Sequence, residues 1–152
     1  AYAVLATGGI KRSVTFLREG EVTEERRVLP AAVARQVRDM LEQAVGPEGT
    51  APQARVAGYR VAGKTGTAKK SSAGGYASKK YLAMFAGMAP ASDPRFVMVV
   101  MVDEPSNGKY YGGQVAAPVF SKVMAGALRL MAVPPDDLPL LETRLAAGEE
   151  PA

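Results

Sequence analysis

The residues in this chain best suited to chemistry are Lys64-Thr65-Gly66-Thr67. A strand facing a cleft offers backbone amides that can hold an extended peptide or stabilise an oxyanion. Alternate side chains of a strand share a face, so Thr65 and Thr67 can turn two hydroxyls towards one carboxylate. Gly66 removes a side chain where a substrate must lie close. Lys64 supplies positive potential, which draws in an anion and favours a charged transition state. Four common residue types also meet by chance, and on the tetrapeptide alone a strand end with a solvated lysine is the better reading.

Composition closes off other chemistries. The 152 residues include neither cysteine nor histidine, which excludes disulfides, thiol catalysis, thiolate or imidazole metal ligands and a serine-histidine-acid triad. Acid-base work falls to Lys, Tyr, Asp or Glu. With 47% hydrophobic and 22% charged residues the chain suits one modest core. A net charge of +4 favours anionic partners without choosing among nucleic acid, acidic lipid and carboxylates. Lys69, Lys70, Lys79 and Lys80 lack the interleaved aromatics of a nucleic-acid site, so they read as a solvated basic loop. The absence of cysteine fits a reducing cytoplasm and a periplasm alike.

Several elements must position the tetrapeptide. Residues 1–7 read as the last turns of a helix stopped by Gly8-Gly9, too short to span a bilayer and looking cut from something longer. Residues 10–17 alternate loosely as a half-buried strand, closed by the turn at 18–21. From Pro30 to Val45, Val33, Val37, Met40, Leu41 and Ala44 recur at helical spacing, with Gly46-Pro47 as the stop. A Gly/Pro loop leads to the apolar run 54–62 and the strand 63–68, and 69–80 is predicted to be a flexible basic loop. The apolar runs 81–88 and 96–102 predict an antiparallel hairpin of central strands buried largely on both faces. A turn region at 103–113 precedes an apolar helix over 114–131, whose Lys122 and Arg129 fit a core helix better than a membrane span. Hairpin-linked strands between helices predict an α+β fold, an antiparallel sheet with helices on both faces. A folded part at 1–132 is then followed by a Pro/acidic tail at 133–152, expected to be mobile.

In this setting the tetrapeptide gains weight. Gly58-Tyr59-Arg60-Val61-Ala62-Gly63-Lys64-Thr65-Gly66-Thr67-Ala68-Lys69-Lys70 resembles the third motif of the penicillin-binding proteins and serine β-lactamases, whose set is S-x-x-K, S-x-N and K-T-G. It is most similar to the division-specific class B penicillin-binding proteins, the FtsI-like septal transpeptidases. The likeness continues through residues 85–91, 93–96, 108–113 and 116–120, and covers about 1–135. It implies the C-terminal part of an α/β/α transpeptidase domain. It also implies acyl transfer, in which a serine attacks the D-Ala-D-Ala bond of a peptidoglycan stem peptide, an amine resolves the ester, and β-lactams trap it. Lys64 would set the electrostatics of proton transfer, Thr65 and Thr67 would bind the donor carboxylate, and the Thr67 amide would form half of the oxyanion hole. Tyr81, Tyr110 and Tyr111 would line an apolar wall beside the ligand, although tyrosines at strand ends also simply pack a sheet rim. No cofactor or metal is implied. A membrane anchor outside this sequence, a periplasmic location and divisome membrane proteins as partners are.

The resemblance also implies that the S-x-x-K and S-x-N motifs lie upstream of Ala1. The formal match Ser106-Asn107-Gly108-Lys109 follows K-T-G and sits in a Pro/Gly turn, whereas the family's serine starts a helix. Two other readings stay open: a serine β-lactamase or D,D-carboxypeptidase, which deacylates with water, and a non-catalytic scaffold. The transpeptidase assignment requires residues 64–67 to lie extended beside an open groove.

Overall fold

The computed structural model describes residues 1–15, 24–72, 75–106 and 108–137. The chain opens with helix α1 (Tyr2–Ala6), which stops where the sequence predicts. Gly8 and Gly9 take φ of 67° and 95°, in the left-handed region that glycine enters without strain. Strand β1 (Ile10–Arg12) pairs antiparallel with β2 (Glu25–Arg27), and Arg12 bridges Glu25 at 2.7 Å. Among the described residues, the predicted strand is thus regular only over its first three. The turn expected at 18–21 lies outside the described residues.

Helix α2 (Ala31–Gln43) starts after Pro30, whose φ of −59° already suits a helix. Its inward line runs through buried Ala34, half-buried Val37 and Leu41, and on to buried Val45, while Met40 faces solvent. The apolar stripe of the sequence is wider than the face that packs. A 3-10 turn (Pro52–Ala54) then leads into the sheet.

The sheet has three antiparallel strands in the order β3 (Ala62–Ser72), β4 (Gly75–Ala89), β5 (Phe96–Asp103). Its two faces pack differently. On one, Phe85 is fully buried and meets Phe120 edge-on, with ring centroids 4.8 Å apart. Phe120, Met124 and Leu128 come from helix α4 (Ala117–Leu130), and Phe96, Met98 and Val100 of β5 close the cluster. On the other face Ala62 and Met88, with Ala91 beyond the strand, pack against Tyr2, Leu5, Ala6 and Leu41 of α1 and α2. Helices therefore cover both faces of an antiparallel sheet, an α+β arrangement.

Four expectations are corrected. The hairpin strands are not buried on both faces throughout: β4 is central, but β5 is an edge strand among the described residues. Its Val97, Val99 and Met101, on the face opposite Phe85, are 38%, 62% and 63% exposed. Residues 69–72 and 75–80 are not loop: β3 runs on to Ser72 and β4 begins at Gly75, pairing Ser71 with Tyr76 and Ser72 with Gly75. Cross-strand pairing there overrides a Gly/Ser/Lys composition that disfavours strands. The last helix is two pieces, the short α3 (Gly112–Val115) and α4, with Pro118 tolerated at an early position of α4 where an amide hydrogen is not needed. Lastly, the start of the expected tail is fastened to the body. Val133 is buried, its carbonyl accepts the Tyr59 hydroxyl, and Asp136 accepts the Arg60 amide at 2.8 Å and the Ser92 hydroxyl at 2.7 Å. Residues 138–152 lie outside the described residues.

Candidate active site

Lys64 to Thr67 lies within β3, fully extended, with its backbone paired to β4 on one side and to no described strand on the other. Thr65 stands opposite Phe85 and Thr67 opposite Ala83. The two threonines thus share the face on which the Phe85–Phe120 core is built, which anchors the strand from below. Lys64 belongs to the opposite face by the pleat. Its long stem carries the ammonium round the exposed edge, where Nζ donates to Thr65 Oγ1 at 3.1 Å. One cation and two hydroxyls are thereby gathered at one stretch of strand.

The hydroxyls are set differently. Thr65 Oγ1 accepts from Lys64 and donates to Thr50 Oγ1 at 3.2 Å. Thr67 Oγ1 accepts the Gly112 amide at 3.1 Å. This acceptance orients the Thr67 hydroxyl and leaves its proton without an acceptor among the described residues, ready to donate to an anion. Thr50 could not have been found from sequence, since it sits within a Gly/Pro loop and its partner lies fifteen positions on.

Close approach at this site is enforced by two glycines. A methyl on Gly112 would lie 2.1 Å from Met84 O and 2.7 Å from Gly66 O, and one on Gly113 would lie 2.1 Å from Thr50 O. Both glycines let the start of α3 press against β3 and β4 and bring the Gly112 amide to Thr67. At Gly66 a methyl would meet only the flexible Met84 side chain, at 3.2 Å. The described packing therefore does not demand glycine there.

All three tyrosines singled out in the sequence come together. Tyr81 pairs with Lys69, so its ring lies on the threonine face, one step beyond Ala83. It stacks on Tyr110 at 4.2 Å, and Tyr110 meets Tyr111 at 4.5 Å. The hydrogen bond from Tyr110 to Tyr111 Oη, helped by the neighbouring phenols and by burial, holds the Tyr110 phenol above its ordinary range. Tyr111 immediately precedes α3, so this aromatic row ends at Gly112 and hence at Thr67. Ser106 and Lys109 of the formal S-x-x-K lie in irregular chain after β5, not on a helix that could align them. A cavity of about 400 Å³ beneath the end of α2, lined by residues such as Glu42, Tyr59 and Arg60, contains none of the Lys64–Thr67 residues.

The strand edge thus carries a cation, two hydroxyls and an aromatic border, and comparison with known proteins gives the class of the chain. Residues 1–125 match the family model of the penicillin binding protein transpeptidase domain, and the chain belongs to that family. More particularly, it is 47% identical over 138 residues to the probable peptidoglycan D,D-transpeptidase PbpC of Pseudomonas aeruginosa, covering 91% of this chain and 24% of that protein. To the peptidoglycan D,D-transpeptidase FtsI of Escherichia coli it is 44% identical, covering 90% and 23%. The transpeptidase domain of penicillin-binding protein 3 from Burkholderia pseudomallei superposes with a TM-score of 0.80 at 47% identity, covering 89% of this chain and 41% of that one. The chain thus spans about a quarter of the length of the curated relatives it matches.

Proposed function

We propose that this chain forms one wall of the acyl-transfer site of a septal peptidoglycan D,D-transpeptidase, with the nucleophilic serine and the S-x-N motif supplied by the preceding part of the domain. The observation that carries the proposal is the free edge of β3, where Lys64 Nζ and the Thr65 and Thr67 hydroxyls converge beside the tyrosine row. In this reading the serine attacks the carbonyl of the penultimate D-Ala, the terminal D-Ala leaves, and an amine from a neighbouring stem peptide resolves the ester.

The residues of this chain prepare each step. The donor carboxylate is held by the Thr67 hydroxyl proton, which the Gly112 amide leaves outward, and by Thr65, whose proton turns from Thr50 to the ligand. Lys64 offsets the negative charge of carboxylate and oxyanion together. The Thr67 amide donates to the developing oxyanion, and a lost donor of this kind typically costs on the order of 3 kcal/mol. Thr67 therefore matters more through its backbone than through its side chain. Tyr81, Tyr110 and Tyr111 border the groove and exclude water from the ester.

Val97, Val99 and Met101 fit the same proposal. Three exposed large apolar side chains on one strand face suit cover by the remainder of the domain, the larger share of the matched Burkholderia chain. A membrane anchor, the periplasmic side of the inner membrane and divisome membrane proteins as partners belong to the whole protein in this reading. No helix among the described residues is long and apolar enough to cross a membrane.

The test is labelling of the full-length protein with a fluorescent penicillin. A stable ester on the wild type, abolished by Lys64→Ala, is expected. A label that turns over in seconds points instead to a β-lactamase or carboxypeptidase, and a full-length protein that never labels points to a scaffold.

A further inference from the structure

We propose that Lys70, Lys80, Asp103 and Glu104 form an electrostatic clamp whose role is to position the tyrosine row beside Thr67; this rests on the transpeptidase reading of the site. The β3–β4 ladder is regular up to the pair Lys69 and Tyr81 and shifts register between Lys69 and Ser71. Lys70 sits in that irregularity, the place where a side chain is re-aimed out of the regular pattern. Its ammonium reaches past β4 to the end of β5, meeting Asp103 at 2.9 and 3.1 Å and Glu104 at 2.8 Å. Lys80, the residue before Tyr81, meets the same Glu104 oxygen at 3.4 Å.

Glu104 is the centre of the arrangement. It holds φ of 48°, uncommon for a residue with a side chain, and its amide still donates to Tyr81 O at 2.9 Å. The residue just after β5 thus fixes the Tyr81 backbone, while its carboxylate bridges two lysines on neighbouring strands that would otherwise repel. Hydrogen bonds to Lys70 first, and to Lys80, hold that carboxyl below its ordinary range. The four side chains are 35% to 61% exposed, so their pairs contribute little to global stability. What they fix is local. All three strands are tied at the level of Tyr81, from which contact runs unbroken through Tyr110 and Tyr111 to the Gly112 amide and Thr67.

The test uses the full-length protein and the second-order rate constant for acylation by a fluorescent penicillin. Lys70→Ala and the isosteric Glu104→Gln are each expected to lower it about threefold to tenfold. Their melting temperatures should stay within about 2 °C of the wild type. Lys70→Arg should restore most of the rate, and in a Tyr81→Ala background Lys70→Ala should have no further effect, because the clamp acts through that ring. Wild-type rates in both variants would overturn the proposal, as would losses that add in full to that of Tyr81→Ala. A wild type that forms no ester overturns the transpeptidase reading itself, and the clamp's role falls with it.

Discussion

The two outer strands of the sheet are alike in pairing and opposite in surface. Each is bonded to β4 on one side only, among the described residues. Strand β3 presents Lys64, Thr65 and Thr67 and is braced by Thr50, the start of α3 and the tyrosine row. Strand β5 presents Val97, Val99 and Met101, the last two more than half exposed. A bare polar edge costs little in water and can wait for a ligand, whereas a bare apolar face gains only when another protein surface removes it from water. The difference separates an edge proposed to face substrate from a surface that the rest of the domain is proposed to bury, on one small sheet.

The comparison breaks most completely at β3. Lys64→Ala in the full-length protein is expected to reduce fluorescent-penicillin labelling about 100-fold or more, the scale seen when one stabiliser of a developing charge is removed. Gly112→Ala should be nearly as damaging, because its methyl must displace the Met84 and Gly66 carbonyls and with them the site strand. A normal labelling rate for either variant would sever the edge from the chemistry.

Below both strands lies the shared support. Phe85→Ala removes a fully buried ring opposite Thr65 and should destabilise the domain by about 3 to 5 kcal/mol. Thermal or denaturant unfolding of the full-length protein reads that loss. At β5, Val99→Asp sharpens the comparison: on the isolated chain, if it folds, stability should change by no more than about 0.5 kcal/mol. In the complete domain the same charge would be buried, and a loss of several degrees in Tm is expected. Equal, small effects in both settings would show that the face is not covered.

A smaller effect is expected at the aromatic row. Tyr110→Ala should slow acylation by about twofold to tenfold, the worth of an aromatic contact of roughly 0.5 to 1.5 kcal/mol, while Tyr110→Phe keeps the stack and most of the rate. The pH dependence follows from the same residue. Its phenol is raised above the ordinary 10.0, so the neutral form is the one the fold favours. That contribution is fully present below pH 10 and fades as the pH rises through the raised value, which phenolate absorbance can follow.

How much of this was legible in the sequence differs between the same two regions. The site strand was read correctly because its signal is local: glycines, alternating threonines and a lysine within four positions. The hairpin and α2 were legible for the same reason, through apolar periodicity. Most of what the sequence hid involves distant partners. Strand β2 is Glu-Arg-Arg, exposed throughout, and has no period to detect. Residues 69–72 and 75–80 look like loop in sequence until Lys70 finds Asp103 and Glu104, more than thirty positions away. Asp136 reads as part of an acidic tail, yet it accepts bonds from Arg60 and Ser92. The bareness of β5 was hidden too, since an apolar strand looks the same whether or not the chain at hand supplies its cover.

The central claim is that the β3 edge grips the acyl donor. A crystal structure of the complete domain acylated by a β-lactam tests it most directly. The account predicts the ligand carboxylate within hydrogen-bond reach of the Thr65 and Thr67 hydroxyls, and the ester oxygen on the Thr67 amide. A carboxylate held elsewhere, with Lys64 to Thr67 untouched, would contradict it.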